Sequence, residues 1–328
     1  MTHVTERAEP EQKPWSAGSG RTTRRRTVTY ADAGVSIHAG EQAVELLKAK
    51  VQRTSRPEVI GDIGGFAGLF RLDLTKYKNP VLASSTDGVG TKLYVAQQLD
   101  IHDTVGIDLV AMVVDDLVAS GADPLFLLDY IACGEVVPEK VAEIGAGIAD
   151  GCRAAGCALL GGETAEHPGM MGAHEYDIAG TGVGIVDAEQ ILGRDRVEVG
   201  DVVIAMRSSG LHSNGYSLIR HVLLGGTARM RLDTVLDELG TQRTLGEELL
   251  TPTRIYAKDC LALIRECEVR TFAHVTGGGI PGNLSRVLPE DADRALAFLA
   301  ARKVDAWQAG EIIEGTGVVQ MLGSYTRG

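Results

Sequence analysis

The residues most suited to chemistry stand close together in Ser84-Ser85-Thr86-Asp87-Gly88-Val89-Gly90-Thr91-Lys92. Asp87 is a hard carboxylate, and Gly88 and Gly90 let backbone amides approach a bulky group. Thr91 adds a hydroxyl and Lys92 a positive charge. Such a set suits a phosphate and its magnesium ion. A glycine turn carrying a surface lysine fits the same letters, and the chain holds no Gly-x-x-x-x-Gly-Lys-[Ser/Thr] run.

More carboxylates follow. The apolar run Val105 to Ser120 contains Asp108, Asp115 and Asp116. On a helix, Asp108 and Asp115 share a face, with Asp116 about 100° further round. Buried carboxylates are costly unless paired or bound to a cation, so caps, a salt bridge or metal and phosphate chemistry would each account for them. Gly161-Gly162-Glu163-Thr164-Ala165-Glu166 places an acid after a glycine pair at a strand end. Two stretches then repeat one design, a histidine among hydroxyls and glycines: Ser208-Ser209-Gly210-Leu211-His212-Ser213-Asn214-Gly215-Tyr216 and His274-Val275-Thr276-Gly277-Gly278-Gly279. The first precedes a helix and suits an anion; His212 reads as a base or as a hydrogen-bonded loop histidine. Gly277, Gly279 and Gly282 match Gly-x-Gly-x-x-Gly in spacing but lack a convincing βαβ context with a ribose-binding acid.

The elements that must hold these residues alternate. Helices are expected over 39–52, 105–120, 138–155, 217–224 and 253–267. Strands are expected over 69–74, 81–84, 125–132, 157–160, 176–186 and 202–207, with 69–74 and 81–84 forming a β-pair flanked by two glycine loops. The fold class is therefore α/β (mixed α+β). Residues 1–29 are polar and read as a disordered tail. The pattern restarts near Asp187 to Gly200, which divides 30–188 from 189–328.

The length of 328 residues allows two domains. A net charge of −12 argues against nucleic-acid or anionic-membrane binding, and no apolar run is long enough to span a bilayer. Five cysteines without a Cys-x-x-Cys pair point to a reducing cytoplasm.

The order of these stretches resembles the phosphoribosylformylglycinamidine cyclo-ligases, the AIR synthetases of purine biosynthesis. The resemblance rests on Tyr30-x-Asp32-Ala33-Gly34-Val35, Arg56-Pro57-Glu58-Val59, Thr86 to Lys92, Gly106 to Met112, Gly161 to Glu166, Ser208 to Ser217, Pro252 to Tyr256 and His274 to Gly279. It covers nearly everything from Tyr30 onward. Selenophosphate synthetases and thiamine-monophosphate kinases share the Asp-Gly logic, but the 161–166 and 208–216 stretches favour the cyclo-ligases. A selenophosphate synthetase would also carry a reactive Cys near its N-terminus, and no Cys precedes Cys133.

What the resemblance implies is a two-domain fold whose N-terminal sheet is completed as a barrel across a homodimer. It implies an ATP-dependent ring closure of formylglycinamidine ribonucleotide to aminoimidazole ribonucleotide, with ATP and Mg2+. On that scheme Asp87, Asp116 and Glu163 hold magnesium, and Lys92 meets the phosphates. Asp62, Gly64 and Gly65, with Thr86, Asp87, Gly88, Gly90 and Thr91, hold ATP. Ser208, Ser209, Gly210, Ser213, Asn214, Gly215 and Tyr216, with Thr276, Gly277 and Gly278, hold the substrate, and His212 and His274 carry protons. The resemblance breaks after Pro289, where the family continues for a few dozen residues, including a core strand. A missing core strand would expose sheet edges, so the natural chain is expected to carry that segment.

Overall fold

The structure is a computed structural model; it describes residues 30–61, 64–198, 200–226, 228–237, 240, 242–284 and 299–311. The tail at 1–29, Asp62 and the join at 289–291 lie outside the described residues. Helix α1 (Ile37–Gln52) precedes the short strands β1 (Val59–Ile60) and β2 (Leu69–Phe70), then β3 (Pro80–Gly88), α2 (Leu93–Leu99), α3 (Val105–Ala119) and β4 (Asp123–Cys133). Next come α4 (Pro138–Ala155), β5 (Ala158–Glu166), β6 (Tyr176–Asp187) and β7 (Val202–Met206). The chain then runs through α5 (Tyr216–Leu223), α6 (Leu245–Leu249), α7 (Ala257–Glu266), α8 (Gly279–Leu284) and β8 (Ala306–Glu311).

The main sheet has the order β3-β6-β4-β5, with β4 and β5 parallel and the other pairs antiparallel. α4 is the crossover between the parallel strands, as that pairing requires. It starts with Pro138 in its first turn and stops at Gly156, whose φ of 88° is left-handed. α3 lies on one face of the sheet, and α4 packs on α3 at backbone distance. A Cβ on Gly106 would sit 2.3 Å from Ile148 N, and one on Gly147 would sit 2.1 Å from Asp103 O. Glycine at both positions is what lets the two helices touch.

The expected β-pair between 69–74 and 81–84 does not form. β2 pairs instead with β1, and β3 pairs along its whole length with β6. Both candidate partners were apolar runs, and sequence proximity decided wrongly against a partner about a hundred residues away. The strand expected to end at Leu160 runs on through Gly161–Glu166, because the ladder with β4 continues as far as Cys133.

The face of the sheet away from α3 is open in the single chain. Leu82, Leu128 and Tyr130 stand on it at 58%, 38% and 40% exposure, and Thr86 and Thr181 share a 2.8 Å hydroxyl contact there. The main core runs from α1 to α4 and continues into Tyr216, Leu245, Leu249 and Cys260. The two halves of the chain therefore share one apolar interior. A second cluster joins Leu263, Cys267 and Val269 to Leu299 and Val304. β7 and β8 form a separate two-stranded sheet. No helix of the described residues is long and apolar enough to cross a membrane.

Candidate active site

The C-terminal end of β3 and the middle of α3 deliver carboxylates to one place. Odd-numbered residues of β3 face α3, so Ser85 and Asp87 point that way. Ser85 Oγ donates to Asp116 Oδ2 at 3.1 Å, and Asp87 Oδ1 accepts from Gly88 N at 2.7 Å. From the C-terminal half, His274 brings Nδ1 to 2.8 Å from Asp116 Oδ1. Burial alone would lower the His274 pKa. The Asp116 hydrogen bond and the fields of Asp115, Asp116 and Asp87 outweigh it, so the imidazole is more basic than usual.

Asp115, one residue round the helix, is buried and accepts from Tyr256 N at 3.1 Å. It thus caps the start of α7. Burial raises its carboxyl to about 7, against the pull of His274 and the Tyr256 N–H. The expected helix from Thr253 begins instead at Ala257. Thr253 donates both N–H and hydroxyl to Asp108 Oδ1, which holds that stretch extended until Asp115 starts the helix.

His212 has the opposite character. Its Nε2 accepts from Ser209 N at 3.1 Å, which leaves the ring proton on Nδ1. Burial, with the charges of Lys92 and His274, lowers its pKa to about 4. The two histidine loops are neighbours: a Cβ on Gly277 would lie 3.8 Å from Asn214 Oδ1, and Asn214 Nδ2 also approaches Met112 Sδ of α3 at 3.4 Å. Gly210 and Gly215 both take positive φ, at 143° and 82°. Ser209 Oγ donates to Pro252 O at 2.7 Å and Ser213 Oγ to Val89 O at 2.7 Å. Ser208 is exposed at the head of the same loop, and Tyr216 donates its hydroxyl to Leu249 O. Thr91 meets Ser217 at 3.0 Å. Thr276 N donates to Asn283 Oδ1 at 3.2 Å, with Gly278 packed on the same amide.

Lys92 is neither a surface lysine nor a cation facing the glycine turn. Its ammonium is buried and donates to Asp108 Oδ1 at 2.9 Å, His212 O at 3.1 Å and Thr251 O at 2.7 Å. Three acceptors use all three N–H bonds of an ammonium and more than an amine possesses, so the lysine is charged. Burial pulls its pKa down, and Asp108 opposes that. Lys92 therefore fastens the β3 turn to the two loops of the C-terminal half. Asp108 Oδ2 is buried without a hydrogen bond among the described residues.

Glu163 is not gathered with Asp87 and Asp116. The register runs Gly88 to Ala179, Ala179 to Tyr130 and Tyr130 to Glu163. Three strand spacings amount to about 14 Å, and this row lies on the open face, opposite to Asp87. Among the described residues no three His, Cys, Asp or Glu side chains converge to hold a metal. Gly64 and Gly65 lie in the β1–β2 connection, beyond which Gly68 packs on Leu160 of β5. That loop and Glu163 share the β5 edge of the sheet, and Asp87 stands on the β3 edge. Ser85, Asp115 and Asn283 are the site's neighbours that sequence reasoning missed or left without a role. Only Asp115 had a signal, its place beside Asp116.

The fold belongs to a known class. Residues 67–186 match the model "AIR synthase related protein, N-terminal domain", and residues 198–291 match its C-terminal counterpart. The chain is 58% identical over 270 residues to the phosphoribosylformylglycinamidine cyclo-ligase of Anaeromyxobacter dehalogenans, covering 82% of this chain and 77% of that one. It is 51% identical over 299 residues to the enzyme of that name from Brevibacillus brevis, covering 90% and 84%. The chain belongs to the phosphoribosylformylglycinamidine cyclo-ligase family, and it is an enzyme. Its fold is similar to that of thiamine-monophosphate kinase from Stenotrophomonas maltophilia, with a TM-score of 0.58 at 20% identity over 87% of this chain and 96% of that one.

Proposed function

We infer that the chain catalyses the ATP-dependent closure of formylglycinamidine ribonucleotide to 5-aminoimidazole ribonucleotide, releasing ADP and phosphate, in the cytoplasm. The observation that carries this reading is the family match across 270 residues; the geometry divides the labour. The formyl oxygen of the substrate is a poor leaving group. It attacks the γ-phosphorus of ATP, ADP departs, and an iminophosphate results. The neighbouring nitrogen then attacks the same carbon, phosphate leaves, a proton is lost and the ring is closed. The protein's task is positioning and charge neutralisation.

Asp87 and Asp116 are hard oxygen donors on adjoining elements, which suits Mg2+. That ion needs only one or two carboxylates beside phosphate oxygens and water. When bound it neutralises phosphate charge during transfer. His274, made basic by Asp116, holds a proton for the departing phosphate. His212 stays neutral and offers its Nδ1–H to the substrate. Environments that push two groups apart in this way are how a site separates acid from base roles. The loops at 208–216 and 276–278 hold the ribonucleotide. Lys92 acts on the phosphates only indirectly, by fixing the turn at Thr86 to Thr91 against the C-terminal half. The domain boundary falls at 188/189.

We propose further that two chains close their open sheet faces into a barrel. The exposed apolar side chains Leu82, Leu128 and Tyr130 on that face support this. So does the split of the nucleotide-binding groups, with Asp87 on the β3 edge and Glu163 and the glycine loop on the β5 edge. A two-fold axis along the barrel sets the β5 edge of one chain, with its glycine loop, beside the β3 edge of the other. ADP release by the purified protein, measured with and without formylglycinamidine ribonucleotide, tests the reaction. Release that ignores that substrate overturns it.

A further inference from the structure

Away from the Asp87–Asp116–His274 site, a cleft of about 350 Å³ lies between α7 and the end of α4. Its size falls within the roughly 300–1,000 Å³ of small-molecule sites. α7 turns one stripe towards it: Lys258, Leu261, Ala262 and Arg265, spaced as neighbours on a helix face. Arg56 and Arg302 complete a ring of four cations, with Asp123 the one carboxylate in the lining. This is an unusual concentration on a chain of net charge −12.

The cations are held by backbone more than by acids. Lys258 Nζ donates to Arg153 O at 2.9 Å, Arg265 Nε to Leu261 O at 3.0 Å, and Arg56 to Pro124 O at 3.2 Å and Gly156 O at 3.1 Å. A carbonyl orients a cation without cancelling its charge. Arg56 has Glu58 at 3.4 Å, and Arg302 pairs with Asp259. Lys258 and Arg265 form no ion pair among the described residues. Satisfying the last carbonyls of α4 accounts for one donor on Lys258; it does not account for Arg265 or for the empty volume between them. The remaining wall, Ala155, Leu261 and Ala262, is apolar. Directed cations around an apolar wall match a phosphate joined to a flat or apolar body.

We propose that this cleft is a second ligand site, which binds a phosphate-bearing small molecule of nucleotide size. The helix that carries two of its four cations, Lys258 and Arg265, is the one Asp115 caps at Tyr256, so an occupant would bear on the element beside the candidate active site.

The test is calorimetric titration of the intact protein with AMP and, separately, with inorganic phosphate, at low salt. The wild type is expected to bind AMP in the millimolar range or tighter. Lys258→Ala/Arg265→Ala is expected to weaken binding by about tenfold or more. Ala262→Trp, which fills the cleft and keeps the cations, is expected to do the same. Substrate-dependent ADP release should stay within about twofold of wild type in both variants, which separates this site from the reaction. AMP binding tighter than phosphate assigns the apolar wall to a nucleoside, and equal binding assigns the site to the phosphate group alone. No binding by the wild type at millimolar AMP, or binding unchanged in either variant, overturns the proposal.

Discussion

Two acid–cation pairs stand where the halves of this chain meet, and they are built in opposite ways. Lys92 and Asp108 meet with both side chains at 0% exposure, and every N–H of the ammonium is used. His274 and Asp116 meet with side chains 18% and 43% exposed, under the fields of Asp115 and Asp87. The first pair is closed off from solvent and its ammonium is fully used, so it can only hold. The second is crowded with like charge and open to solvent, so it gains from a cation and from exchanging protons. Closeness of opposite charges is common to both; access and surplus charge separate a clamp from a reactive site.

Removing Lys92 is the severest way to break that contrast. Lys92→Met leaves the Asp108 carboxylate buried and uncompensated and should cost about 3–5 kcal/mol. The melting temperature should fall accordingly. The loss should shrink as the pH is lowered, because burial already raises the Asp108 pKa and a protonated acid no longer needs the lysine. A variant that melts like wild type at neutral pH but loses ATP binding would make Lys92 a phosphate ligand after all.

Asp116→Asn attacks the other pair. Turnover per folded molecule should fall by about 10²–10³, and stability without ligand should hold or rise, since one of three crowded charges is gone. Asp87→Asn should behave alike. Thermal scans without ATP beside turnover decide the matter, and a variant that melts early yet turns over normally would move Asp116 into the structural class. A smaller effect is expected at the open sheet face. Leu82→Asp should weaken self-association by about tenfold or more, read by sedimentation. Wild-type protein that sediments as a fully active monomer would remove the barrel.

Much of this was legible in the chain. The Pro138 start and the Ala155–Gly156 stop of α4 are local signals, and both were read correctly. So was the buried character of α3. What failed was long-range. The partner of β3 lies beyond three helices and two other strands, and nothing in Val81 to Ser84 specifies Tyr176 to Asp187 over Leu69 to Leu74. Lys92 failed for a related reason. A lysine after a glycine turn reads as exposed unless its counter-ion is known, and the helix of Asp108 gives no sign that Thr253 will also bind there. Asp87, Asp116 and His274 were each picked out by type, but their meeting depends on how 271–278 crosses α3. Glu163 is misplaced by ending the strand at Leu160: β5 runs on to Glu166, and its parity fixes Glu163 on the opposite face.

The smallest effect concerns His212, whose neutrality contrasts with the basicity of His274. Its folded pKa, about 4, lies below the ordinary 6.5. Above pH 6.5 the ring is neutral folded and unfolded, and the stability it contributes is complete. As the pH falls from 6.5 towards 4, the unfolded chain takes up a proton that the folded one refuses, and stability drains away. His274 runs the other way: its raised pKa contributes stability below 6.5 that is lost as the pH climbs through the folded value. Asp115 opposes His212 in the acid range, since a carboxyl raised to about 7 is relieved as it protonates. A single stability curve would blur these trends, so the measurement is a difference. Denaturant midpoints of wild type and His212→Asn, taken at intervals between pH 4 and 7, should diverge most near neutrality and converge towards pH 4. Parallel curves would mean that His212 titrates normally in the folded protein, and that the two histidines do not divide acid from base roles.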